Sequence, residues 1–344
     1  MLMADAPESR FIAPPGWQWA EFQNVRGYNL RYGYCRPENS HPKAVVHIFP
    51  GLSEFCEKYF ETAHDLLAGG YAVAVLDWHG QGRSGRPLEN SHKRHAIDFE
   101  DDVGDALLFV NEAENIFGKS LRKFMLAHSM GANIGLRLLE RKGKAFSCAV
   151  LNCPMFGIHA VDFMPLKMSL YLAKAGCVIF GSETYILGGT DWTPRALPDN
   201  PANDILSSDP DRRRIHDFWM KKDPALRVGA VTWGWLRGAL ESCRIINTSH
   251  FADSIKTEVI TEILIFTAGR EKLVSNKAVN KVARRLNNAS CIDVEGAAHE
   301  ILMEKDLYRD YAFGKILEFF KKHLNPENQA CSTGSTSHSV SPNI

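Results

Sequence analysis

Short apolar runs alternate with amphipathic segments along most of this chain. The amphipathic segments have the apolar spacing of helices, and the runs between them contain too few polar residues for strands with one face in water. Such strands, separated by helices, are typical of a parallel sheet covered on both faces. The pattern therefore predicts an α/β fold with a mostly parallel central sheet. The predicted strands are 44–49, 72–76, 124–127, 148–151, 259–266 and 291–294, and the predicted helices are 57–68, 99–116, 132–139 and 276–286.

The alternation stops between residues 155 and 245, where no strand is evident. This stretch has helical character and is rich in large apolar residues, including those of the segment 163–180. A helical insertion after a core strand predicts a cap over a ligand site, because ligand sites tend to lie at domain interfaces. The alternative interpretation is a helical subdomain that packs for stability alone. The insertion also holds Trp192, Trp219, Trp233 and Trp235.

These features predict the domain organisation. Residues 21–154 and 246–324 form the two parts of the α/β core, and residues 155–245 form the helical cap or lid. Residues 1–20 are an N-terminal extension without the basic start and apolar stretch of a signal peptide. Residues 325–344 are mainly Ser, Thr, Pro and Asn, which have little to bury, so a disordered tail is expected.

Composition and charge exclude several classes of protein. The 344 residues carry a formal net charge of zero, which gives no electrostatic footprint for nucleic acid. The eight cysteines form no C-x-x-C pair, and Cys148 and Cys291 lie in predicted strands as buried, reduced thiols. A reducing compartment, the cytoplasm, is therefore expected. His79, His92 and His95 lack the spacing of metal ligands, so neither a metal nor a cofactor is predicted.

The segment 124–139 carries the first candidate for chemistry. An apolar run leads into Ser129, and a helical run follows it. Ala127 and Gly131 are the small residues that a sharp strand-to-helix turn needs on either side. This pattern is a nucleophile elbow, which exposes the serine hydroxyl above the sheet edge. The alternative interpretation is an ordinary serine in a loop.

A nucleophilic serine needs a base and an acid that orients the base. His299 follows the last predicted strand and is the candidate base, although a histidine there could merely cap the next helix. Glu271 follows the preceding strand and is the candidate acid, with a surface glutamate as the alternative. Asp293 is a weaker rival, since it lies within a predicted strand. The expected oxyanion donors are the backbone N–H groups of Leu52 and Met130.

Four segments together give the chain a family resemblance. Residues 49–59, 77–86, the elbow and 296–306 resemble the α/β-hydrolase superfamily, in the branch of bacterial lysophospholipases and monoacylglycerol lipases that is often labelled serine aminopeptidase-like. The resemblance covers about residues 20–322. It implies that the D-x-x-G-x-G-x-S turn beginning at Asp77 braces the active-site loops. The chain departs from the family pattern at Ala127 and Glu271. Pro50 stands where monoacylglycerol lipases usually have histidine, and in this the chain is more similar to the lysophospholipases.

The resemblance and the apolar insertion imply a serine ester hydrolase that acts on single-chain lipid esters, a lysophospholipid or a monoacylglycerol. An aminopeptidase or small-ester esterase with the same residues is the alternative, and Glu183, Asp191 or Asp217 would then hold a substrate amine. A non-catalytic binding protein on the same scaffold is a third interpretation. Epoxide hydrolase and dehalogenase chemistry is disfavoured, because those enzymes use an aspartate at the position of Ser129.

The apolar segment 163–180 also suggests where the protein meets lipid. Lys167 and Lys174 are seven residues apart and so share a helical face, which suits a helix lying at a membrane surface. The segment is too short and too charged to span a bilayer. Peripheral contact of the cap with the inner face of the membrane is therefore expected. The alternative is that this helix packs against the core and both lysines point to water.

Overall fold

The computed structural model describes residues 7–38, 40–96, 98–258 and 261–324. The strands in these ranges are β1 (Gln18–Gln23), β2 (Asn29–Cys35), β3 (Val45–Phe49), β4 (Ala72–Leu76), β5 (Lys123–His128), β6 (Cys148–Asn152), β7 (Glu262–Ala268) and β8 (Ala289–Val294). They form one sheet in the order β1-β2-β4-β3-β5-β6-β7-β8. β1 and β2 are antiparallel to their neighbours, and all other pairs are parallel. The predicted α/β fold with a mostly parallel sheet is confirmed.

Helices connect the parallel strands. They are α1 (Phe60–Ala68), α2 (Phe99–Phe117), α3 (Ser129–Arg141), α4 (Leu166–Phe180), α5 (Arg212–Lys222), α6 (Trp233–Ile246), α7 (Ser249–Glu258), α8 (Asn276–Ala283) and α9 (Asp306–Lys322). Every residue of β3, β4 and β6 is buried, as continuous apolar runs require between two helical layers. The parallel strands end at one edge of the sheet, where the loops that follow them meet.

The N-terminal hairpin is an element that the sequence pattern did not predict. β1 is exposed at four of its six residues, with Ala20 partly buried and Phe22 buried, and it has no continuous apolar run. It pairs with β2, which attaches the hairpin to β4 at the sheet edge. β1 begins at Gln18, so the strand crosses the predicted boundary between the extension and the core. Its polar exposed face explains why a search for buried runs missed it.

The prediction for Cys291 is wrong. Cys148 is buried in β6, but Cys291 is exposed. The cause is the position of β8, which is the last strand of the sheet and is mostly exposed along its length. The predicted tail 325–344, together with residues 1–6 and 259–260, lies outside the described residues.

Helices fill the segment 155–245. α4 packs on α6 through a cluster of Leu170, Ala173 and Leu240. α6 in turn contacts the core, where Trp235 packs against Phe99 with ring centroids 5.8 Å apart. A second cluster joins α5 and the chain after it to the loop that follows β3, and its members are Phe55, Met220, Leu226 and Val228. The insertion therefore lies against the loops at the carboxyl ends of the strands.

Across the part of the chain that the structure describes, none of the helices combines the length and the apolar character that a membrane crossing requires.

Candidate active site

Ser129 lies at the turn between β5 and α3. It is the first residue of α3, and its φ of 52° is in the left-handed region, which is rare for a residue with a side chain. A Cβ on Gly131 would clash with the carbonyl oxygens of Phe49 and Pro50, so only glycine fits there. Ala127 is buried and lines a small cavity together with His128. The sharp turn predicted from the sequence is present.

Ser129, His299 and Glu271 form a continuous chain of hydrogen bonds. His299 Nε2 lies 3.0 Å from Ser129 Oγ, and His299 Nδ1 lies 2.7 Å from Glu271 Oε2. All three residues are buried. The side chains come from the ends of β5, β7 and β8, which are neighbours in the sheet apart from the intervening β6. The sequence placed these residues far apart, and the parallel topology brings them together.

Backbone groups hold the Glu271 carboxylate. Its Oε1 accepts hydrogen bonds from the N–H groups of Lys272, Leu273 and Val274, at 3.0, 2.8 and 3.1 Å. Burial alone raises the pKa of this carboxyl, but the His299 hydrogen bond and charge, with the backbone donors, outweigh burial and leave the pKa below its ordinary value. Glu271 is therefore ionised at neutral pH and can accept a hydrogen bond from the His299 Nδ1–H group.

Asp293, the rival acid, lies elsewhere. Its carboxylate accepts a hydrogen bond from Thr267 Oγ1 at 2.8 Å, and the residue is exposed on β8. Glu271 is the carboxylate that contacts His299.

The loops of the two expected oxyanion donors lie together. Phe49, at the end of β3, is opposite Ala127 of β5 in the parallel register, so the chains beyond both residues leave the sheet side by side. A Cβ on Gly51 would come within 2.9 Å of the His128 ring. Met130 is the second residue of α3, where a backbone N–H has no partner within the helix. Leu52 is partly buried in the facing loop.

The turn that begins at Asp77 and one side chain of the insertion support the loop of residues 50–54, which we call the oxyanion loop. Gln81 Nε2 donates to the carbonyls of Gly51 and Glu54, at 2.8 and 2.9 Å. Ser53 has a φ of 61°, and its carbonyl lies 3.0 Å from Nε2 of His216 in α5. Asp77 accepts a hydrogen bond from the Cys56 N–H at 2.8 Å. Asp77 and Gln81 belong to the D-x-x-G-x-G-x-S turn that the resemblance implies braces the active-site loops, whereas no local motif predicts the His216 contact.

A cysteine adjoins the buried pair of Glu271 and His299. The Cys153 sulfur and the potential ligand atoms of these two residues lie within 4.8 Å of one another. Burial raises the pKa of the Cys153 thiol well above its ordinary value, which keeps it protonated and makes it a poor metal ligand. The histidine and glutamate already bond each other, so the arrangement suits proton transfer better than metal binding.

The other histidines that the sequence analysis considered as ligands have separate partners. His79 Nδ1 lies 3.2 Å from Arg26, His92 Nδ1 accepts from the Trp192 N–H at 3.1 Å, and His95 Nδ1 lies 2.8 Å from Thr232 Oγ1. Each ring is therefore held by its own surroundings.

Known proteins resemble this chain in sequence and in fold. Residues 40–306 match the family described as serine aminopeptidase, S33. Lysophospholipase L2 of Escherichia coli strain K12 is 32% identical over 315 residues, covering 89% of this chain and 88% of that protein. A carboxyl esterase from Bacillus coagulans in complex with glycerol superimposes with a TM-score of 0.73 at 20% identity, covering 91% of this chain and 100% of the other. A soluble variant of monoglyceride lipase from Saccharomyces cerevisiae, in complex with a substrate analogue, gives a TM-score of 0.69 at 18% identity, covering 93% and 100%.

The two structural likenesses show the fold, and the sequence matches identify the family within that fold. The protein is a carboxylic ester hydrolase with the α/β-hydrolase fold. Within that class the chain belongs to the serine aminopeptidase S33 family, in the branch of lysophospholipases and monoacylglycerol lipases.

Proposed function

We propose that the protein hydrolyses single-chain lipid esters, a lysophospholipid or a monoacylglycerol, with Ser129 as nucleophile, His299 as general base and acid, and Glu271 as the orienting acid. The observation that carries this proposal is the hydrogen-bond chain from Ser129 Oγ through His299 to Glu271. A serine with a left-handed backbone conformation lies at a strand-to-helix turn and is hydrogen-bonded to a histidine, which in turn bonds a buried carboxylate. This arrangement activates a hydroxyl for acyl transfer.

The reaction takes two steps. Ser129 Oγ attacks the ester carbonyl while His299 Nε2 takes its proton, and the same proton passes to the departing alcohol when the acyl-enzyme forms. His299 then removes a proton from water, which attacks the acyl-enzyme, and the proton returns to Ser129 as the fatty acid leaves. The N–H groups of Leu52 and Met130 bind the oxyanion in both tetrahedral intermediates.

Electrostatics favour the charged imidazole that both steps require. Glu271 is ionised and accepts a hydrogen bond from the Nδ1–H group, which stabilises positive charge on His299. The neighbouring His128 ring lies 4.7 Å from the His299 ring, centroid to centroid. Burial lowers the pKa of His128 to about 4, so this ring stays neutral at physiological pH and does not repel the imidazolium.

The segment 155–245 supports the lipid assignment, and we propose that it acts as the cap. Large apolar side chains are exposed on α4 and beside it, which is unusual unless they meet lipid or a partner. We propose that the enzyme is cytoplasmic and that these side chains make peripheral contact with the inner face of the membrane. Leu170 is not among them, since it packs inside the insertion. The exposed residues are Phe163, Met168, Tyr171, Leu172, Val178, Ile179, Phe180 and Leu187.

A substrate panel tests the proposal. A lysophospholipid, a monoacylglycerol, a short p-nitrophenyl ester and an aminoacyl amide should be assayed side by side with wild type and Ser129→Ala. The first two are expected to give the highest kcat/KM, rising with chain length by up to about tenfold for each pair of methylenes. A flat or falling chain-length profile would favour the small-ester esterase. Turnover of the amide alone would favour the aminopeptidase, and no turnover by folded wild type would favour a binding protein.

A further inference from the structure

A lysine lies buried between two carboxylates behind the candidate site. Lys58 Nζ is 2.7 Å from Glu54 Oε1 and 2.6 Å from Glu300 Oε1. The lysine side chain is 3% exposed, and those of Glu54 and Glu300 are 5% and 11% exposed. Removing a lysine and two carboxylates from water is costly, and well-packed apolar residues often stabilise a fold equally well. Stability alone is therefore a weak reason for these three charges.

One end of this ion network holds the oxyanion loop. Glu54 Oε2 accepts hydrogen bonds from the N–H of Gly51 and from the Tyr59 hydroxyl, the latter at 2.6 Å. Gly51 directly precedes Leu52, the expected oxyanion donor. A carboxylate that is fixed by Lys58 therefore sets the direction of the peptide next to that donor.

The other end holds the histidine loop. Glu300 directly follows His299, and its backbone N–H donates to the Leu206 carbonyl at 2.8 Å. The His299 N–H also donates to this part of the insertion, at 3.3 Å to the Ile205 carbonyl. His128 also lies between the two loops, since its Nε2 is 3.9 Å from Glu54 Oε1 and its ring packs on that of His299.

We propose that Lys58 is a positioning residue that fixes the oxyanion loop and the His299 loop relative to each other. The oxyanion donors and the base are then both placed to act on the same substrate carbonyl group. This inference rests on the function proposed above and adds a requirement to it. Lys58 does not touch the reacting atoms. Its loss should reduce stabilisation of the transition state while leaving the binding of the acyl chain unchanged.

The proposal predicts that loss of Lys58 lowers kcat and leaves KM nearly unchanged. Loss of one oxyanion donor in a serine hydrolase costs about 10²- to 10³-fold in kcat. Lys58→Met should displace the donor rather than remove it, so we expect a fall of about 10- to 100-fold in kcat with KM within about twofold. Lys58→Arg keeps the charge and can bond both carboxylates, so it should recover most of the activity.

The proposal also predicts a pH dependence. Burial raises the pKa of Glu54. The Lys58 charge is the largest opposing effect, followed by His128 and the hydrogen bonds from Lys58 and Tyr59. These opposing effects together hold the Glu54 pKa well below its ordinary value. These are the ionisable groups facing its carboxylate, with Glu300 on the far side of Lys58. Without Lys58 the Glu54 pKa rises, and protonation weakens its hold on Gly51. The kcat of Lys58→Met should therefore fall more steeply than wild type as the pH is lowered from about 9 to 6, and recover at high pH.

The experiment compares wild type, Lys58→Met, Lys58→Arg and Lys123→Met. Lys123 pairs with Glu114 at the far end of β5 and is a matched control for losing an ion pair. Steady-state kinetics on one soluble ester, the rate of fluorophosphonate labelling and the melting temperature should be measured for each from pH 6 to 9. The expected result is a kcat loss with a steeper acid limb in Lys58→Met, rescue in Lys58→Arg, and normal kcat in Lys123→Met.

Unchanged kcat in folded Lys58→Met overturns the proposal, as does a pH-independent loss that Lys58→Arg does not rescue. If Lys58→Met fails to fold, Glu300→Gln cuts the same connection at its other end, and normal kcat in that variant overturns the proposal. Failure of the proposed function has a different signature, because Ser129→Ala would then retain wild-type activity.

Discussion

Replacing Glu271 with glutamine is the sharpest test of the triad, because the change removes a charge without changing size. One carboxylate oxygen of Glu271 accepts from three backbone N–H groups, and the other accepts from His299 Nδ1. An amide has only one oxygen. If that oxygen faced His299, the NH₂ group would point at three donors, which is unfavourable. The oxygen therefore stays with the backbone, and the NH₂ group faces His299.

That orientation forces the wrong tautomer on the histidine. Nδ1 must accept from the amide, so Nε2 carries the proton and cannot accept one from Ser129. The corresponding substitution in a serine protease triad lowers kcat by about 10⁴-fold. The same loss, roughly 5 kcal/mol of transition-state stabilisation, is expected for Glu271→Gln. The fold should be retained, since the backbone hydrogen bonds remain.

Ester hydrolysis and the rate of fluorophosphonate labelling both measure this loss, and near-wild-type melting confirms folding. Asp293→Asn is the matched control, because it makes the same chemical change on the exposed neighbouring strand. It should leave kcat within about twofold of wild type. Activity of Glu271→Gln within about tenfold of wild type, combined with an inactive Asp293→Asn, would refute the assignment of the acid.

Three further outcomes are expected. Ser129→Ala should lower kcat by about 10³-fold or more and abolish fluorophosphonate labelling, and peptide mass mapping of wild type should place the adduct on Ser129 alone. Val178→Asp and Phe163→Asp should weaken sedimentation with phospholipid vesicles without lowering kcat on a soluble short-chain ester; unchanged sedimentation would argue against membrane contact through these residues. Burial, reinforced by Lys123, lowers the pKa of His47 to about 3, whereas the unfolded chain protonates near 6.5. Its contribution to stability is therefore lost as the pH falls from about 6.5 towards 3, and melting curves of His47→Phe should show a smaller loss over that range.

The sequence predicted those parts of the molecule that depend on local pattern. Continuous apolar runs gave the buried parallel strands, because both faces of such strands need apolar side chains. β1 was missed because its exposed positions break the apolar run, and β2 was missed because the buried Arg31 and Gly33 interrupt its run of apolar residues. Cys291 was misplaced for a related reason, because the residues alone do not show that β8 lies at the sheet edge.

In the candidate site, too, the residues that a local pattern marks were predicted and the others were not. Ser129 was found from its turn, and His299 and Glu271 were found from their positions after strands, which parallel topology converts into proximity. Lys58 and Gln81 lie in the segments 49–59 and 77–86 that carry the resemblance, but their individual roles were not predicted, since their spacing does not identify the partners that each contacts. The apolar character of the insertion was visible in the sequence, but the sequence did not show that Leu170 packs inside while Val178 faces out. That distinction depends on where α6 lies.

The glutamate at position 271 departs from the usual aspartate, and the local geometry explains how it can serve. Glutamate is one methylene longer, so a fully extended side chain would carry its carboxylate past the histidine. Instead the side chain turns back on its own loop, where the N–H groups of the next three residues bind one oxygen. This contact takes up the extra length and leaves the second oxygen 2.7 Å from His299 Nδ1. The backbone donors also help to keep the carboxylate ionised, so the same loop fixes both its position and its charge.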